Sequence, residues 1–328
     1  MAPDARGSEA PARALEARAA PRTRARAGRR LATGRVPRET PIGPSRPQHG
    51  APRAPRSPSP VSTPEKPRPL SQLREAFVNA ASDEALQLLL KELDPDPRAG
   101  AQQLADRARR TLTARAGERE RMARLLALRD ELTAGGAQGI AGIDEVGVGP
   151  LAGPVIAAAV VLPKDVQLEG LDDSKKVPKA RRERLAEEIE AVAVGIGFGE
   201  VGPEEIDQQG IYQAALEAMR RSVASLNRVV EVDHLLVDAR TVPGVDVPQT
   251  PIVKGDSKDA SIAAASIVAK VRRDALMAVL GARYPAYGFE RHMGYGTAEH
   301  MAVLERFGPC PIHRHSFAPV EEAARRKR

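Results

Sequence analysis

Residues 138–162 read Gln-Gly-Ile-Ala-Gly-Ile-Asp144-Glu145-Val-Gly147-Val148-Gly149-Pro150-Leu-Ala-Gly153-Pro154-Val-Ile-Ala-Ala-Ala-Val-Val-Leu. Two short apolar runs, 140–146 and 155–162, flank a glycine- and proline-rich centre, the pattern of two strands joined by a tight turn. The turn also satisfies the loose dinucleotide pattern Gly-x-Gly-x-x-Ala. That reading needs a helix after the turn, so that its N-terminus faces a pyrophosphate. A strand follows instead, and Gly-Lys-Ser/Thr, the mark of a nucleotide phosphate loop, is absent. The role left to these glycines is close approach of backbone to a ligand.

The first run ends on Asp144 and Glu145. Leu-Leu-Val-Asp238-Ala ends another, and Lys254-Gly255-Asp256-Ser-Lys258 follows a third. An acid closing an apolar run stands at a strand tip, where a site can begin. Carboxylates gathered there repel one another and stay ionised near neutral pH only with cations among them. Oxygen-only ligation suits Mg²⁺ or Mn²⁺, and two such ions about 3.5–4 Å apart can clamp the attacking and leaving oxygens of a phosphodiester. Each piece alone has a plainer reading. Adjacent strand residues point to opposite faces, so Asp-Glu is ordinarily a solvated pair, and Asp256 before a helix ordinarily stabilises the helix dipole. The apolar, glycine-flanked setting of Asp144 and Glu145 is a poor one for an idle surface pair.

Further segments suit a polyanion. Asp172-Asp173-Ser174-Lys175-Lys176 sets two ammonium groups and a hydroxyl together, as a phosphate contact or a solvated loop. Tyr295 between Gly294 and Gly296 is easily presented to a sugar or base. Cys310-Pro-Ile-His313 has metal-like spacing but lacks a second Cys/His pair, which makes it structural. His313, Arg314 and His315 read equally as phosphate contacts or as a satisfied turn.

Composition bounds the rest. Of 328 residues, 42% are hydrophobic and 3% aromatic, with no Trp, so the core is built from Ala, Val, Leu and Ile. One cysteine forms no internal disulfide and fits a reducing cytoplasm. No apolar run approaches the roughly 20 residues needed to cross a bilayer. The net charge of +7 is a misleading average. Residues 1–70 hold 15 Lys and Arg against 5 Asp and Glu, and 14 of the 28 prolines, so the remainder is net acidic. That arm buries too little apolar surface to order and reads as disordered. An inert or mis-assigned extension, a nucleic-acid-contacting arm and an organelle transit peptide all fit it; a secretory signal does not.

Residues 71–134 read as helical. Ser71 and Ser82 are candidate caps, Asp94-Pro-Asp-Pro97 is a stop, and Gly117 is a candidate break. Strands are expected at 193–201, 234–237 and 251–253, the last two buried. Helices are expected at 181–192, 211–226, 260–280 and 297–307, with Asp259 or Ser257 capping the third. Strands interleaved with helices make a mixed α/β domain.

Taken together, IAGIDEVGVGPLAGPVIAAAVVLP, LDDSKK, LLVDA, VKGDSKDASIAAASIVAKVRRD, YPAYGF, HMGYGTAEH and GPCPIHRHSFAPV closely resemble bacterial ribonuclease HII, in family order over about residues 138–320. The resemblance implies an RNase H-like mixed five-stranded sheet flanked by helices, with a C-terminal helical segment. Residues 71–134 look like the family's helical N-terminal extension, and 321–328 are left as a charged tail. It implies a monomeric, Mg²⁺- or Mn²⁺-dependent endonuclease of DNA replication and repair. Its substrates would be RNA–DNA hybrids and ribonucleotide-containing DNA, cut to 5′-phosphate and 3′-hydroxyl ends; the alternative is a protein that binds hybrids without cutting. By position, Asp144, Glu145, Asp238 and Asp256 would bind metal and catalyse. Gly147, Val148 and Gly149 would read ribose 2′-hydroxyls, Ser174, Lys175 and Lys176 would meet phosphates, and Tyr295 would stack on a sugar. The family turn usually carries Arg where this chain has Val148.

Overall fold

The computed structural model describes residues 67–327, so the arm read over residues 1–70 lies outside the described residues apart from 67–70. Strands β1 (Ile140–Val146), β2 (Val155–Val161) and β3 (Gly195–Val201) form an antiparallel meander. Strands β4 (His234–Asp238) and β5 (Gln249–Ile252) add in parallel on the other side of β1. The result is the expected mixed five-stranded sheet, in the order β3-β2-β1-β4-β5.

Every residue of β2 is buried, as a strand covered on both faces must be. Helix α6 (Ile211–Leu226) covers one face, packing on Ala141, Ile143 and Val237. Helix α7 (Ala260–Arg283), with α4 (Lys179–Val192), covers the other through Ala158 and Val160. Small side chains let the layers approach closely. A Cβ built on Gly142 of β1 would lie 2.1 Å from the carbonyl carbon of Ser261 in α7. Strand β5 departs from expectation: it is half-buried and Pro251 is exposed. As the sheet edge it needs no second ladder, which is where proline is tolerated.

Ahead of the sheet lie α1 (Leu70–Val78), α2 (Asp83–Leu93) and α3 (Ala99–Ala134). Ser82 caps α2 through Ala85 N–H, but Ser71 lies inside α1, whose cap position is Pro69. Gly117 does not divide α3, which runs unbroken for 36 residues. A glycine inside a helix costs up to about 1 kcal/mol, and tertiary bonds beside it offset that. Glu118 accepts Gly170 N–H at 2.7 Å, and Arg121 donates to Leu171 O at 2.6 Å. Met122, Leu125 and Leu126 enter the same core as α7, so this helical segment packs directly against the sheet's helical layer.

After α5 (Pro203–Gln209) and α7 come α8 (Phe289–His292), α9 (Ala298–Phe307) and α10 (Ala318–Arg326). The segment read as a charged tail, 321–328, carries the end of α10, whose Val320 and Ala323 are buried against Leu151 and Leu304. The block of charged residues from 321 to 328 leaves only a two-residue apolar stripe to read. Substituting Gly142→Val should force α7 off the sheet and lower unfolding free energy by roughly 1–3 kcal/mol. Urea denaturation measures this, and an unshifted midpoint would show that the layers are not in contact there.

Candidate active site

Parallel pairing sets Ile143 opposite Val237, so β1 and β4 bring Asp144 and Asp238 to one end of the sheet. Asp144 shares the α7-facing side of β1 with Gly142 and Val146, whereas Glu145 shares the other with Ala141 and Ile143. The two carboxylates straddle the strand end. Asp144 is buried, with Oδ1 accepting Glu145 N–H at 2.8 Å. Glu145 Oε1 lies 4.0 Å from Arg240 Nη2, and its buried Oε2 has no partner among the described residues. Asp238 Oδ1 accepts Gly255 N–H at 2.8 Å, tying β4 to the 3₁₀ turn Gly255–Ser257 that carries Asp256. Ala239 and Lys254 beside these acids adopt left-handed backbone, φ 59° and 57°. Such strained non-glycine positions concentrate at functional sites.

The acids raise one another. Burial lifts Asp144 well above the usual carboxylate range, and Glu145 and Asp238 add to it against a Ser266 hydroxyl. Glu145 is raised by burial and by Asp238, opposed by Arg240. Asp256 is raised by burial, then by the negative charges of Asp173 and Asp238, opposed by Lys175. Among the described residues no three His, Cys, Asp or Glu side chains already stand as a ligating group. Their chemistry nevertheless fits a hard divalent cation: donors are all carboxylate oxygen, one is an orphaned buried atom, and the mutual repulsion calls for positive charge.

Beside the acids, Gly147 has φ +91°, and a Cβ there would lie 2.2 Å from Arg273 Nε, so only glycine fits. Val148 and Tyr295 are exposed, at 37% and 41%. A Cβ on Gly149 would meet the Tyr295 ring at 3.8 Å, so turn and tyrosine form one surface. Lys175 is exposed and its charge reaches Glu145 and Asp256. Lys176 is exposed and paired with Asp172 at 3.1 Å. Ser174 departs from the expected phosphate contact. It is 4% exposed, and its hydroxyl accepts from Ser266 at 2.9 Å, inside the core.

Arg240, Ser266 and Arg273 escaped the sequence reading, and other residues it named acquire their partners only here. Asp173, Arg240 and Ser266 adjoin the four acids. Arg273 and Arg314 are fully buried; Arg273 follows Ile262, Ser266 and Ala269 on the buried stripe of α7, a position where a charge was itself a signal. Cys310 and His313 belong to a buried chain: Cys310 Sγ to His313 Nδ1 at 3.2 Å, His313 Nε2 to His300 Nε2 at 3.0 Å, and His300 Nδ1 to Tyr295 O at 2.9 Å. The chain supports the tyrosine's backbone.

A sheet of this order with helices on both faces and acids at the end of its central strands is the RNase H-like fold. Ribonuclease H2 from Pyrococcus horikoshii shares it, with TM-score 0.50 and 25% identity over 57% of this chain and 97% of that one. Residues 141–320 match the Ribonuclease HII family model, and residues 70–131 match the Ribonuclease HII N-terminal domain. Ribonuclease HII of Myxococcus xanthus is 53% identical over 255 residues, 77% of this chain and 86% of that protein. Ribonuclease HII of Geobacillus thermodenitrificans is 57% identical over 205 residues, 62% and 78% respectively. The chain belongs to the ribonuclease HII family, and is an endonuclease of RNA–DNA hybrids.

Asp259 caps α7 three residues beyond Asp256. Its Oδ1 accepts from Ser261 and Ile262, and its buried Oδ2 has no partner among the described residues. Burial raises its pKa to about 6, against the attraction of Arg129 on α3. A folded-state value above the unfolded one means that its contribution to stability is whole below about pH 4 and lost as pH rises through 6. Asp259→Asn keeps the cap and removes the titration. Its stability relative to the parent should therefore rise by on the order of 2–3 kcal/mol between pH 4 and 7.5. Urea melts across that range check this, and a constant difference would show that Asp259 does not titrate there.

Proposed function

We propose that this ribonuclease depends on Mg²⁺ or Mn²⁺ held by Asp144, Glu145, Asp238 and Asp256. We further propose that it cuts both the RNA strand of hybrids and single ribonucleotides embedded in duplex DNA, leaving 5′-phosphate and 3′-hydroxyl ends. The observation that carries the reading is the crowding of Asp144, Glu145 and Asp238, with Glu145 Oε2 buried and without a partner among the described residues. Bound divalent ions supply Lewis-acid polarisation of the phosphate and an activated water.

The remaining work falls to the chain's own residues. Lys175 and Lys176 stand exposed beside the acids, placed to take phosphate charge. Glu145 N–H orients Asp144, and Gly255 N–H orients Asp238. Arg240 sits across from Glu145 and limits its repulsion. The glycine turn and Tyr295 face the sugar side, where a 2′-hydroxyl distinguishes RNA from DNA. One chain carries all these groups, and we read the protein as acting as a monomer. No helix among the described residues is long and apolar enough to cross a membrane.

Asp144→Asn should lower metal-dependent cleavage of a duplex with one embedded ribonucleotide by on the order of 10³-fold or more, while hybrid affinity stays within a few-fold. Full activity in that variant would remove the acid cluster from the mechanism. If the parent bound that duplex but never cut it, the protein would be a hybrid-binding module instead. Val148→Arg should tighten hybrid binding and steepen the dependence of log K on log salt by about 0.7–0.9, one phosphate contact. Affinities titrated at several salt concentrations measure it; identical slopes would mean that the position 148 side chain does not meet the backbone.

A further inference from the structure

Two guanidinium groups lie wholly buried behind the glycine turn, Arg273 from α7 and Arg314 from the segment between α9 and α10. Among the described residues neither forms an ion pair; every bond they donate goes to a backbone carbonyl. Arg314 donates from Nη2 to Gly147 O at 2.6 Å and Gly153 O at 2.8 Å, from Nη1 to Val148 O at 2.9 Å, and from Nε to Gly153 O at 3.0 Å. Arg273 donates from Nε to Pro154 O at 2.9 Å, from Nη2 to Ala152 O at 3.1 Å, and from Nη1 to Met293 O at 3.0 Å. Burial depresses both, Arg314 to about 9, which leaves Arg314 charged at neutral pH. A buried charge without a counter-ion is costly, and an apolar residue would fill the space without that cost. The position of these charges therefore asks for an explanation beyond packing.

Peptide geometry carries the effect outward. In a trans peptide the C=O and the following N–H point in opposite directions, and no described peptide is cis. The Gly147 and Val148 carbonyls are turned inward onto Arg314. The N–H groups of Val148 and Gly149 are therefore turned outward, on the exposed surface shared with Tyr295. Among the described residues neither N–H has a backbone acceptor. A cation bound to a peptide carbonyl polarises that peptide and strengthens its N–H as a donor. Arg273 ties the same unit to the tyrosine turn through Met293 O, and Leu151 N–H donates to Gly294 O at 2.9 Å.

We infer that Arg314, aided by Arg273, is a positioning residue for substrate recognition. It fixes the Val148 and Gly149 N–H groups as a charge-polarised donor pair for the ribonucleotide's sugar oxygen, at constant spacing from the Tyr295 ring. The inference rests on the proposed recognition of embedded ribonucleotides. It also places the turn's positive potential behind the backbone, independent of the uncharged side chain at 148.

The test compares affinity for a duplex carrying one ribonucleotide with that for its all-DNA counterpart, by fluorescence anisotropy with Ca²⁺ in place of the catalytic ion. Lysine keeps the charge but not the planar fork that spans three carbonyls. Arg314→Lys is expected to reduce the ribonucleotide preference by about tenfold or more, the scale of losing a positioned donor, with all-DNA affinity within about twofold. Equal loss on both duplexes, or an unchanged ratio, overturns the inference. In the unmodified protein, the Val148 and Gly149 amide resonances are expected to shift with the ribonucleotide duplex and not with all-DNA. This arm decides the matter if the variant does not fold, and unmoved amides overturn the inference. An unmodified protein with no ribonucleotide preference and no cleavage would instead sink the proposed function itself.

Discussion

Mutual repulsion among carboxylates at the end of the β1–β4 pair is the constraint around which this molecule is organised. Parallel pairing makes it unavoidable, because strands that share a direction deliver their terminal acids to the same end of the sheet. Each acid is then restrained by local donors: Asp144 by Glu145 N–H, Asp238 by Gly255 N–H, Glu145 by the more distant charge of Arg240. These restraints orient the groups without neutralising them. The left-handed backbone at Ala239 and Lys254 belongs to the same design, turning the chain sharply where the acids must face one another.

The opposite sign of charge is handled in the opposite way. Arg273 and Arg314 are removed from solvent and satisfied by carbonyl dipoles instead of carboxylates. Carboxylate partners would have neutralised them. Carbonyls leave the positive field intact while locking the 147–154 segment to the turn that presents Tyr295. The His300–His313–Cys310 chain adds a neutral support on the tyrosine side, with His313 depressed to about 4 by burial and by His300. Acids in front and arginines behind make a site whose polarity changes over the thickness of one turn.

Much of this is legible in the amino-acid sequence. The apolar runs ending in Asp144 and Asp238 marked strand ends, and the strand after the glycine turn excluded a dinucleotide site. Other features were not legible, for identifiable reasons. Gly117 reads as a helix break, but α3 is continuous and bonds from Glu118 and Arg121 tie it to the 170–171 loop, partners some fifty residues away. Ser174 sits among charged neighbours in sequence, yet packs its hydroxyl on Ser266, a contact set only by how α7 crosses the sheet. The last helix hid its buried face because two apolar residues among charges give too weak a period.

The sequence by itself determined most of the elements and the apolar runs that stop at Asp144, Glu145 and Asp238, because these follow from local periodicity. Tertiary structure decided which charges are buried and what they touch. Burial depends on neighbours distant in the chain, so a single arginine in His-Arg-His-Ser-Phe reads alike whether it faces water or holds three carbonyls behind a turn.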